Sequence, residues 1–232
     1  MVTDTIYFNS DYFMISQVEE DNLLYLNVLS DPNGNWTKKR ILLPNPKPIV
    51  FESQAGEWTD NTNEAKISDY CNTFILDDLL GDYVVVSSNM AKILYEYAPN
   101  DIQRIPAIVD GKSDTHEVIN ILSCVDCIDY EDSVITSYWP HDPLSPRGCI
   151  LLIINKNKVS GQQIFRVGHN ESTIVISASL CSALREAHLT GCYVEPVSIP
   201  TEELMKDPLC NQYFGPRLTI KRCPPPPDHH RR

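Results

Sequence analysis

No stretch of this 232-residue chain approaches the roughly 20 consecutive apolar residues that a bilayer crossing needs. The opening MVTDTIYFNSDYF has neither the basic start nor the apolar run of an export signal, so the expectation is a cytoplasmic protein with no membrane partner. Catalytic signatures are missing as well: there is no G-x-S-x-G, phosphate loop, dinucleotide fingerprint or H-E-x-x-H. His116, His141, His169 and His188 have no metal-ligand spacing between them. Positive charge is scarce, with 19 Lys and Arg against 31 Asp and Glu. The formal charge is -12, and the last twelve residues hold +3 (Lys221, Arg222, Arg231, Arg232 against Asp228), which leaves -15 on residues 1–220. Such a surface repels phosphate backbones and excludes nucleic acid as the expected partner, while it speeds encounter with a basic protein.

What is present is an ordinary globular composition. Apolar residues make up 42% and are spread along the chain, enough for one large domain. The reading is a single globular domain over 1–222, with possible lobes 1–110 and 111–222, followed by a flexible Pro-rich basic tail, CPPPPDHHRR, at 223–232. Eight irregularly spaced cysteines fit reduced thiols used as small hydrophobes better than a disulfide scaffold. Cys124 and Cys127 are two residues apart, yet no second pair completes a zinc site, and they come late in an apolar run rather than at a helix start. Two packed thiols are expected, with no metal and no cofactor. Asp126, Asp129, Glu131 and Asp132 follow them, without the central glycine or closing glutamate of a calcium loop, and read as a solvated or partner-facing acidic loop.

The expected fold class is α+β, with mixed sheets and a duplicated strand–strand–helix–strand unit. Tyr83–Val109 aligns with Thr173–Ile199 at an offset of 90 without gaps. Val85 meets Val175, Ser87 meets Ser177, Leu94 meets Leu184, Glu96 meets Glu186 and Pro106 meets Pro196. Each copy reads as a β-branched strand, a capping serine, and apolar residues at helical spacing. The helices are predicted over 89–97, stopped by Pro99, and 179–189, ended by Gly191. NTFIL (72–76) and GQQIF (161–165) suggest a further strand ahead of each. His116–Ser123 is read as a helix passing into extended chain, SYWPHDPLSPRG (137–148) as a proline-punctuated loop, and CILLIINKNKVSG (149–161) as a strand and turn. FMISQ, LLYLNVL and PIVF in the first third read as short strands.

These segments in this order resemble a family of bacterial immunity proteins encoded beside polymorphic and type VI secretion toxins. The resemblance rests on Val125, Asp126, Cys127, Asp129 and Ser133, on Ile164, Phe165 and Arg166, on Ser177, and on Leu189, Thr190 and Gly191, and it spans roughly 75–200. It implies a cytoplasmic antidote that binds one cognate toxin and blocks it without catalysis, by occluding the toxin's active site. The acidic body makes a basic toxin, of nuclease type, the expected target. Two other readings compete: an enzyme using Cys127 or the acidic cluster, and a scaffold whose proline-rich tail recruits a partner.

Toxin contact is expected from Asp129, Glu131 and Asp132 and from Trp36, Trp58 and Trp139, tryptophans in polar, loop-like stretches. Asp126, Cys127, Ser133, Arg166, Ser177 and Gly191 are expected to be structural. For Arg166, pairing with Asp126 or Asp129 competes with a toxin-facing role.

Overall fold

The computed structural model describes residues 10–17, 24–33, 43–55, 67–71, 73–74 and 83–199. Trp36, Trp58, Cys210, Cys223 and the proline-rich tail lie outside them. The described residues form an α+β fold: β1 (Tyr12–Gln17), β2 (Leu24–Ser30), β3 (Ile49–Ala55), β4 (Tyr70–Cys71), β5 (Thr73–Phe74), β6 (Val84–Ser87), α1 (Ser88–Tyr97), β7 (Ile102–Val109), β8 (His116–Ile121), β9 (Cys124–Val125), β10 (Val134–Trp139), β11 (Asp142–Leu151), β12 (Ile164–Val167), β13 (Asn170–Ser177), α2 (Ala178–Glu186) and β14 (Cys192–Pro196). The three strands expected in the first third are β1, β2 and β3.

One sheet has seven strands in the order β4-β6-β8-β7-β3-β2-β5. β4 and β5 are one residue apart in sequence and stand at the two ends of the sheet. The sheet thereby closes on itself, which leaves few free backbone groups at an edge. Its interior holds Leu26, Ile49, Phe51, Val85, Ile105 and Val118. A second sheet has five strands, β14-β1-β13-β12-β9. Neither sheet is built from one half of the chain, since β1 joins strands from 124–196 and β8 joins strands from the first half.

Both helices lie in one core shared by the two sheets. Met90, Ala91 and Leu94 of α1 and Leu180, Cys181 and Leu184 of α2 pack with Val84, Val86, Ile119 and Ile121 from the closed sheet and Ile15, Ile174 and Ile176 from the other. Ser87 and Ser177 cap them alike, each hydroxyl accepting from the amide three residues on, Met90 or Leu180, at 3.2 Å. Such a cap stabilises a helix by about 1 kcal/mol. Each helix connects two parallel strands that have an antiparallel strand between them: β8 between β6 and β7, β1 between β13 and β14.

Several expectations need correction. His116–Ile121 is strand β8, not a helix. It is buried on both faces, with Val118 inside the closed sheet and Ile119 and Ile121 against the helices, so the polar/apolar alternation that marks a half-exposed strand is missing. The proline-punctuated loop is instead the hairpin β10–β11, a two-stranded sheet of its own. Pro140 lies in its turn, and Pro143 and Pro146 lie on β11, where repeated register shifts relieve the strand of regular pairing. Trp139 therefore ends a strand rather than sitting in a loop. Gly191 does not end α2: the helix stops at Glu186, Ala187 is its cap, and His188 takes the left-handed φ of 51° that terminates it. Thr73–Phe74 pairs parallel with β2, whereas β4 is the strand beside β6.

Candidate functional site

The Val125–Ser133 segment leaves β9, which pairs parallel with β12, and crosses the outer face of the five-stranded sheet. Asp126 passes so near β12 that a Cβ on Gly168 would come within 2.9 Å of its Cα, which accounts for glycine there. Cys127 is fully buried among Ile128, Phe165, Val167 and Val175. Asp129 Oδ1 accepts from the amides of Glu131 (3.2 Å) and Asp132 (3.1 Å), and its carbonyl accepts from Ser133 N (2.9 Å). Ser133, buried, receives Ile153 N at 2.9 Å and donates to Ile153 O at 3.1 Å. Asp129 and Ser133 thus hold a tight turn against the chain just beyond β11, and Glu131 is exposed on it while Asp132 is half-buried.

Burial pushes the Cys127 thiol up to about 12, with the nearby Asp126 charge acting the same way. A thiol nucleophile needs the opposite shift. Cys124, by contrast, is exposed, so the expectation of two packed thiols holds only for Cys127: β9 is the outer strand of its sheet, and the chain turns inward only after it. The six described cysteines are all free thiols. Among the described residues no three His, Cys, Asp or Glu side chains converge as metal ligands would. Arg166 is 8% exposed and donates from Nη1 to the Glu171 carbonyl at 2.8 Å.

The Leu189-Thr190-Gly191 element joins the two parts of the fold. Asp69 Oδ2 accepts from Thr190 N (2.9 Å) and Thr190 Oγ1 (2.8 Å), and Tyr70 N donates to Thr190 O (3.2 Å). Gly191 has a φ of 79°, and a Cβ on it would run into the Ser68 side chain and reach 2.7 Å from Tyr70 O. Burial would raise the Asp69 carboxyl, but hydrogen bonds from Ser87 and Thr190, with the His116 charge, outweigh it and hold the group below its usual range. Beside it, burial lowers His116, against the pull of the Ser68 carbonyl and of Asp69 and Asp110. Sequence spacing gave no hint of this joint, since Asp69 and Thr190 are far apart in the chain.

The β10–β11 hairpin stands over the motif turn. Tyr130 Oη donates to Leu144 O at 2.7 Å, and its ring lies 6.5 Å from that of Tyr138. At the hairpin end Trp139 is 42% exposed, with the His141 ring at 5.6 Å and the Arg147 guanidinium 5.3 Å above the indole. Asp142 accepts from Leu144 N at 3.0 Å and faces His169 Nδ1 at 3.3 Å. Of the expected contact residues, the structure therefore brings the turn of Asp129, Glu131 and Asp132 beneath the hairpin that carries Trp139. Trp36 and Trp58 lie outside the described residues. Arg147 went unnoticed in the sequence, although it is the only Lys or Arg between Lys112 and Lys156, a stretch holding seven Asp and Glu.

No helix among the described residues is long and apolar enough to cross a membrane. Comparison with curated proteins gives no match. Comparison with protein families does: the sequence matches the family described as the immunity protein family Imm11 over residues 35–198. That span contains the motif turn, the hairpin, both capped helices and the Asp69–Thr190 joint, and by this match over well more than half its length the chain belongs to the Imm11 immunity protein family.

Proposed function

We propose that this protein neutralises one cognate protein toxin by binding it stoichiometrically in the cytoplasm, and that it covers the toxin's active site without doing chemistry of its own. Family membership carries the reading. The site chemistry supports it: the thiol at the centre of the motif is buried and held protonated, and the acidic residues around it tie down a turn or face solvent. The target is taken to be a basic toxin of nuclease type, delivered by a type VI or related polymorphic system. A charge of -15 on the first 220 residues supports this, because it accelerates encounter with a basic surface and disfavours nucleic acid itself.

In this reading residues 1–222 act as one unit and the tail at 223–232 is dispensable for neutralisation. The two serine-capped strand–helix–strand passages are taken as copies of one ancestral unit, supported by their shared topology and by the five identities at offset 90. The test is co-expression with the product of the gene encoded beside its own. Survival of cells that otherwise die, retained when the tail is removed, is the expected outcome. Failure to protect, or protection by catalytic destruction of the toxin at substoichiometric amounts, would overturn the reading.

A further inference from the structure

We propose that the end of the β10–β11 hairpin is the anchor of the toxin interface, with Trp139 filling an apolar depression and Arg147 pairing a toxin carboxylate at its rim. This rests on the toxin-binding reading above and deepens it by naming the surface and the chemistry that it meets.

Large apolar side chains are mostly buried here. Among the described residues only Leu29, Tyr95, Tyr97 and Trp139 are both large and well exposed. Trp139 has beside it a cation, Arg147, that forms no ion pair among the described residues. Arg104, near Tyr95, is committed to a two-pronged pair with Glu117. Arg147 lies over the Trp139 ring and pairs with no carboxylate among the described residues. Its nearest acid in sequence along the hairpin, Asp142, is occupied by the Leu144 amide and His169. A guanidinium held over an aromatic face keeps its planar N–H fork available for a carboxylate, and Trp and Arg are among the residue types enriched at binding hot spots.

The hairpin also presents this pair in a fixed shape. Pro140, Pro143 and Pro146 restrict its backbone. A Cβ on Gly148 would come 2.9 Å from Ser137 Oγ, so the strands are closely apposed behind the tip. Tyr130 fastens the underside through Leu144. Little conformational freedom remains to be lost on binding, which favours affinity. The charge pattern separates two jobs: the acidic body steers a basic partner over distance, while one cation in an acidic neighbourhood selects a carboxylate at contact.

The test is the dissociation constant and dissociation rate of the full-length protein with its cognate toxin, for Trp139→Ala, Arg147→Glu and Tyr95→Ala, with each variant's unfolding midpoint compared with wild type. Trp139→Ala and Arg147→Glu should each weaken binding about thirty-fold or more through faster dissociation, and Tyr95→Ala should change it by less than about three-fold. A Lys substitution at one toxin Asp or Glu should restore binding to Arg147→Glu while weakening wild type. If wild type binds and both hairpin variants bind equally well, the anchor is elsewhere and only this inference fails. If wild type does not bind the toxin, the proposed function fails and this inference with it.

Discussion

Replacing Gly191 by alanine tests the joint between the two parts of the fold, because two separable costs meet at that residue. Its φ of 79° lies in the left-handed region, where a Cβ costs about 1–2 kcal/mol. The same Cβ would also collide with Ser68, which is buried, and crowd the Tyr70 carbonyl. Overpacking of this kind costs about 1–3 kcal/mol. Gly111 isolates the first cost, since its φ is 74° and a Cβ there meets nothing within 4 Å. In urea denaturation Gly111→Ala should lose about 1–2 kcal/mol and Gly191→Ala about 2–5 kcal/mol. Adding Ser68→Gly to Gly191→Ala should recover part of the difference, as expected of residues in contact. Equal losses for the two alanine variants would refute the steric part of the reasoning and with it the role given to the Thr190-Gly191 element.

Cys127→Ser should cost about 1–3 kcal/mol, because a hydroxyl replaces a buried thiol, whereas exposed Cys124→Ser should stay within about 0.5 kcal/mol; thermal unfolding of the two single variants distinguishes them. Acidification should weaken the fold in two windows. His116 titrates below its ordinary 6.5 when folded, so the unfolded chain takes up its proton first and stability begins to fall as the pH drops below about 6.5; Asp69, also lowered, holds its contribution above its ordinary 3.8 and loses it as the pH falls through its lower native value. His116→Gln should abolish the first window and leave the second, as read from unfolding midpoints across pH. At the alkaline end Cys127, raised to about 12, contributes stability that erodes between about 9 and about 12, and Cys127→Ala should make that limb shallower without removing it, because burial also raises Cys71, Cys149 and Cys192 to about 11. Toxin association should slow markedly between low and physiological salt, and Glu131→Lys with Asp132→Lys should slow it further without unfolding the protein; stopped-flow association rates that ignore both would remove electrostatic steering from the account.

Local chemistry was the legible part of this fold. The serine caps at Ser87 and Ser177, the apolar spacing behind them and the β-branched strands are short-range signals, and the helices formed where these signals lie. Signals that depend on distant partners were not legible. His116–Ile121 became a strand because it has neighbours on both sides and layers on both faces, which erased its periodicity. The prolines of 140–146 suggested a loop, yet an isolated two-stranded hairpin has edges and bulges that accommodate them. Within the site, the burial of Cys127 follows from the apolar run around it, and Ser133 is buried and bonded to Ile153, a partner too distant in sequence to be read from spacing. The engagement of Asp129 with its own turn was not legible, because an acidic run looks the same in sequence whether it caps or faces solvent. Arg147 needed the structure to bring it over Trp139, from eight residues away along a bulged hairpin.

The central claim, neutralisation by stoichiometric binding, is tested most directly by titrating the purified protein into a fixed amount of its cognate toxin while following both toxin activity and the mass of the species formed. The account predicts that activity falls linearly to zero at one equivalent, that a single complex of toxin and intact immunity protein accumulates in step, and that active toxin returns when the complex is dissociated. Loss of activity at a small fraction of an equivalent, or without any complex, would contradict it.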